Sequence, residues 1–94
     1  MFVIVLTYVK PLEEVGRLLD DHNAYLDRNY RAGRFIASGR REPRTGGVIL
    51  AQAASAAEIH ATVTEDPCVR AGVAEHEVIE FVPSKHAAGF EALQ

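Results

Sequence analysis

The sequence predicts an α+β domain in which two helices cover one face of a four-stranded antiparallel sheet, and three observations lead there. The opening run FVIVLTYV is β-branched and aromatic with almost no polar alternation, as in a strand buried on both faces and therefore central in its sheet. Two helix-like stretches, 12–32 and 55–65, alternate with four strand-like runs in the order β-α-β-β-α-β. The turn-forming segment EPRTGG joins the two middle runs by a connection of hairpin length. Ninety-four residues, 48% hydrophobic and 24% charged, make one globular domain. A chain of that size hides only about 60–65% of its unfolded surface, so part of its stability is expected from a partner.

Each element has a local reason. In the first strand, 2–9, Phe2, Ile4 and Leu6 point to one side and Val3, Val5 and Val9 to the other. Lys10 and Pro11 stop it, and Pro11 suits the first turn of a helix, where its missing N–H has no intrahelical partner anyway. The first helix is expected from about 12 to 32, with Val15, Leu19, Leu26 and Tyr30 on one face and His22 on that same face. Gly33 ends it. The second strand is RFIASGRR, with Phe35 and Ala37 on one face and Ile36 and Ser38 on the other, and the third is VILAQA beyond the turn. Ser55 and Glu58 read as a capping box that opens a second helix reaching about Glu65. Asp66 and Pro67 break that helix, a turn runs from Cys68 to Gly72, and VAEHEVIEF is the fourth strand. The tail after Pro83 is polar and small.

This order is the ferredoxin-like split βαβ arrangement. Two helices can cover one sheet face only, yet the first strand is apolar on both. Association of two copies through the uncovered faces would give a homodimer of the dimeric α+β barrel type.

Composition narrows the function classes. A formal charge of −3 gives no footprint for nucleic acid, although Arg40, Arg41 and Arg44 gather around the hairpin. One cysteine, Cys68, excludes an internal disulfide framework, and the apolar start is too short and lacks the basic flank and cleavage site expected of a signal peptide. A cytoplasmic protein is expected, without nucleic-acid or membrane partners.

His22 is the residue that needs explaining, because an imidazole on an apolar face must be hydrogen-bonded or lose solvation on burial. A backbone carbonyl could hold it; so could Asp66, since the EDP break ends a helix on the same sheet face. Asp66 also suits a plain turn before proline. Ser38 sits among small residues and could reach a pocket or fill a ladder position, but no G-x-S-x-G elbow supports a serine hydrolase. Arg40 and Arg44 could clamp a planar anion or form a solvated hairpin tip. Cys68 reads as a buried thiol, and His60, His76 and His86 lack metal-ligand spacing, so neither metal nor cofactor is expected.

Several segments in order, namely the apolar first strand, DHNAYL, GRFIASGRREPRTGGVIL, and EDPCVRAGV followed by EVIEF, resemble the YciI-like (YCII-related) proteins over nearly the whole chain. The resemblance implies a ferredoxin-like dimeric α+β barrel related to muconolactone isomerase-type proteins. It also implies a His-Asp active site, carried over onto His22 and Asp66, with Ser38 matching a serine often near that site. Cys68 departs from the pattern, since an aromatic residue commonly follows the D-P pair. Where activity is attributed in the family, it resembles lyase or dehydrochlorinase chemistry on hydroxylated chloroaromatics. On that basis His22 is expected as a neutral general base supported by Asp66, acting on a small ring substrate held by Ser38, Arg40 and Arg44. The competing class is a dimer that binds a small ligand through the same residues without turning it over.

Overall fold

Strand β1 (Phe2–Tyr8) lies inside the sheet of the computed structural model, which describes residues 1–91. It pairs antiparallel with β3 (Gly46–Ala51) on one side and β4 (Ala74–Glu80) on the other, and β2 (Phe35–Arg40) closes the edge beyond β3. The strand order β2-β3-β1-β4 is that of a ferredoxin-like α+β domain. Among the described residues no helix is long and apolar enough to cross a membrane.

The first helical segment differs from the sequence expectation. It is split into α1 (Leu12–Gly16) and α2 (Leu19–Arg31), with Arg17 and Leu18 between them. Glycine costs about 1 kcal/mol relative to alanine in a helix, and the chain breaks beside Gly16, with α2 starting after Leu18 without a side-chain cap. The face turned inward is also shifted. Tyr25 and Asn29 are the fully buried residues of α2, while Leu19 and Leu26 are half-buried and Tyr30 is exposed. Burial is possible because both polar tips are satisfied: the Tyr25 hydroxyl donates to the Thr62 carbonyl at 2.8 Å, and Asn29 Nδ2 donates to the Tyr25 carbonyl at 2.9 Å.

A second difference concerns the hairpin. β3 starts at Gly46 instead of Val48, and a register irregularity between Phe35 and Ala37 re-aims the rest of β2. Phe35 faces the helices opposite Ala51, Ala37 pairs with Leu50 on the open face, and Ser38 pairs with Ile49 on the helix side again. Phe35 and Ala37 therefore do not share a face. Gly46 permits the close approach of β3 to β1, for a Cβ there would collide with the Leu6 backbone carbonyl. Gly46→Ala is expected to destabilise the domain by about 3 kcal/mol, the upper end of overpacking costs, seen as a lower urea midpoint.

Ser55 Oγ accepts from the Glu58 N–H at 3.2 Å and opens α3 (Ala56–Val63). The segment read as a turn after Asp66 contains a further helical turn, α4 (Pro67–Arg70), made favourable by Pro67 at its start and Asp66 as its cap. The main core gathers Phe2, Ile4 and Leu6 under Tyr25, Phe35, Ile59 and Val63, and a second cluster joins Val15, Cys68, Val73 and Ala74. On the opposite sheet face, Val3 lies between Leu50 and Ile79, and Val5 between Val48 and Glu77, with no helix over them among the described residues.

Candidate active site

A cleft of about 350 Å³ opens beside α2 and the β2–β3 hairpin, and its wall includes His22, Tyr8, Ser38, Arg40 and Arg44 over a floor of Gly46 and Gly47. Alternation along β1 explains the floor and one side. Leu6 and Tyr8 share the inward parity of Phe2 and Ile4, so the last inward residue of the strand emerges at the cleft. His22 comes from the rim of α2, one turn before Tyr25, and the two rings stack with centroids 6.1 Å apart.

Asp66 lies behind His22 and is not part of the cleft wall. His22 Nδ1 is 2.9 Å from Asp66 Oδ1, although the residues are 44 positions apart in sequence. The His22 side chain is 18% exposed and that of Asp66 1%. Oδ1 also accepts the Cys68 N–H at 2.9 Å, the capping bond of α4, which fixes the carboxylate against the imidazole. Oδ2 is buried and has no hydrogen-bond partner among the described residues.

This arrangement raises the His22 pKa from 6.5 to about 9; the Asp66 hydrogen bond is the largest cause, the Cys68 side chain adds to it, and burial opposes both. The resting imidazole is therefore protonated at neutral pH, contrary to the neutral ring expected from sequence. Both ring nitrogens then carry protons, Nδ1–H donating to Asp66 and Nε2–H remaining for a second partner. A folded pKa above the ordinary value means that the pair contributes fully below pH 6.5 and loses its contribution as pH rises through about 9. Urea midpoints should fall over that interval in the wild-type protein, and His22→Gln should remove that part of the fall.

Ser38 Oγ is 2.6 Å from the Tyr30 hydroxyl, so its hydrogen bond goes to an exposed tyrosine. Arg40 Nε donates to Glu42 Oε1 at 3.0 Å on the surface. Arg41 Nη1 donates to Thr7 Oγ1 at 3.0 Å and is not in the cleft wall, whereas Arg44 is. Cys68 is buried. His60 and His76 meet each other instead, their ring centroids 6.3 Å apart.

Tyr8 is the lining residue that sequence reasoning passed over as ordinary strand. Burial pushes its phenol up, and the Cys68 and Asp66 charges add to this while Arg44 opposes it. The period-2 alternation from Phe2 was the signal that could have found it.

A family model described as a YCII-related domain matches residues 1–82. No curated protein sequence matches the chain. Among solved structures the chain is similar to 5-chloro-2-hydroxyhydroquinone dehydrochlorinase from Burkholderia phenoliruptrix AC1100, in complex with 2,5-dihydroxybenzoquinone. The TM-score is 0.73, with 22% identity over 93% of this chain and 96% of that one, a likeness of fold.

Proposed function

The chain belongs to the YCII-related domain family, and we propose that it is a cofactor-independent enzyme of lyase or dehydrochlorinase type acting on a small hydroxylated ring, with His22 and Asp66 as its acid–base pair. The observation that carries this reading is a charged imidazole in the wall of a cleft, backed by a buried carboxylate at 2.9 Å. An apolar ring would rest against Leu6, Leu19 and Leu26, while Arg44, Arg40 and Ser38 would hold its oxygens. The solved dehydrochlorinase, with its quinone ligand, supports this substrate class through its shared fold.

A protonated His22 suits a two-stage elimination from a chlorinated hydroquinone. The imidazolium gives its Nε2 proton to the ring carbon bearing chlorine, forming a C–H bond, while one ring hydroxyl loses its proton to solvent and becomes a ketone. The C–Cl bond then breaks with its electron pair leaving as chloride, and neutral Nε2 takes the proton of a second hydroxyl. The ring oxygens are oxidised to a quinone as the chlorinated carbon is reduced, so no external oxidant enters. Asp66 holds Nδ1–H throughout and keeps Nε2 directed to the substrate. Arginine beside the oxygens steadies the enolate as charge develops.

A second reading has its own support. A cationic imidazole with arginines in the same cleft wall would also bind a small anion without turnover. Chloride release and quinone absorbance, measured over a panel of chlorinated hydroquinones and lactones, separate the two. Release that needs His22 favours the enzyme, and saturable binding with neither chloride nor solvent-deuterium incorporation favours the binding protein.

The functional unit is a homodimer joined through the open sheet face. Val3, Val5, Val48, Leu50 and Ile79 form a contiguous apolar surface there, with Val48 37% and Ile79 46% exposed.

A further inference from the structure

We infer that His22, Asp66 and Cys68 form a binding site for a thiophilic divalent cation of the zinc type. One ring nitrogen, one carboxylate oxygen and one thiol sulfur from these residues all lie within 4.8 Å of one another. The set is nitrogen, oxygen and sulfur, which suits zinc and its softer neighbours and does not suit magnesium or calcium. In a tetrahedral zinc site the donors stand about 3.3–3.8 Å apart, so closing on a cation takes shifts on the order of 1 Å.

A second observation concerns the carboxylate of this set. Asp66 Oδ1 already serves His22 and the Cys68 N–H, but Oδ2 is buried without a partner among the described residues. A buried carboxylate oxygen left in that state is costly, and a cation would satisfy it. The local chain explains why the donors converge. Asp66 caps α4, its bond to the Cys68 N–H ties the two residues together, and His22 arrives from α2 across the helical layer. His22 is also in the cleft wall with its side chain 18% exposed, so the cluster reaches solvent on the imidazole side, where water would supply a fourth ligand.

The cation would displace the imidazolium proton facing Asp66 and the Cys68 thiol proton to solvent, drawing His22 and Asp66 out of the acid–base pair, so it would act as an inhibitor of the proposed reaction. The site itself is read without substrate, and failure of that reaction leaves this inference standing.

Cobalt(II) titration of the reduced full-length protein tests it. One cobalt per chain should bind with a near-ultraviolet thiolate-to-cobalt charge-transfer band, displaced by zinc and untouched by magnesium. Cys68→Ala and Cys68→Ser should each abolish the band, and His22→Gln should weaken binding by at least about tenfold. The wild-type measurement stands even where a variant folds poorly. Cobalt binding without the charge-transfer band, a band that persists in Cys68→Ala, or equal competition by magnesium would overturn the assignment.

Discussion

Asp66→Asn is expected to lower turnover of a chlorinated hydroquinone by about two to four orders of magnitude, the range general acid–base catalysis supplies, while leaving the fold intact. The carboxylate does two things that an amide cannot. It holds the imidazolium by a charge-assisted bond at 2.9 Å, and it accepts Nδ1–H without ambiguity about the tautomer. The Cys68 N–H bond that caps α4 survives, because an amide oxygen still accepts it. The pH profile gives the sharper reading. In the wild-type protein the step that needs imidazolium should fail as pH rises through about 9. Loss of the Asp66 charge removes the largest cause of that elevation, so the alkaline limb should move down toward the ordinary histidine range. His22→Ala should abolish the limb together with the activity. Wild-type turnover in Asp66→Asn, with an unmoved limb, would return both residues to a structural role.

How the sequence relates to the structure differs from residue to residue, for physical reasons. His22 stood out because an imidazole on an apolar face demands a partner. Asp66 was reachable because the EDP break puts a carboxylate at a helix end on the same sheet face, although spacing could not join residues 44 positions apart. The strand order could be read because β1 is apolar on both sides and the hairpin has a short turn. What escaped depends on hydrogen bonds and register. Tyr25 and Asn29, which the apolar periodicity does not select, lead the inward face of α2, and only their bonds to the Thr62 and Tyr25 carbonyls make that burial possible. The irregularity after Phe35 has no marker in RFIASGRR, yet it is what brings Ser38 back to the helix side. The break at Gly16 has a marker in the sequence, a glycine inside an otherwise helical pattern.

Val5→Asp is expected to convert the protein from a species of twice the 10.3 kDa chain mass to a monomer at micromolar concentration, with partial unfolding. Val5 lies on the central strand opposite Val48 and Glu77, in the middle of the face that no helix among the described residues covers. In a two-fold interface each substitution appears twice, so two carboxylates enter one apolar surface. Each loses about 1.5–3 kcal/mol of side-chain burial, and desolvation of an unpaired charge adds several kcal/mol more. Glu77 beside Val5 makes the new charge worse, since like charges opposite each other on a sheet repel. A domain this small has on the order of 5 kcal/mol to lose, which is why dissociation should carry unfolding with it. Ala57→Asp, in the exposed first turn of α3, places the same charge where a helix start tolerates it and should leave mass and stability unchanged. Sedimentation equilibrium of the three proteins decides the matter: a wild-type protein that runs as 10.3 kDa, or a Val5→Asp protein that keeps the doubled mass, would remove the open sheet face as the dimer interface.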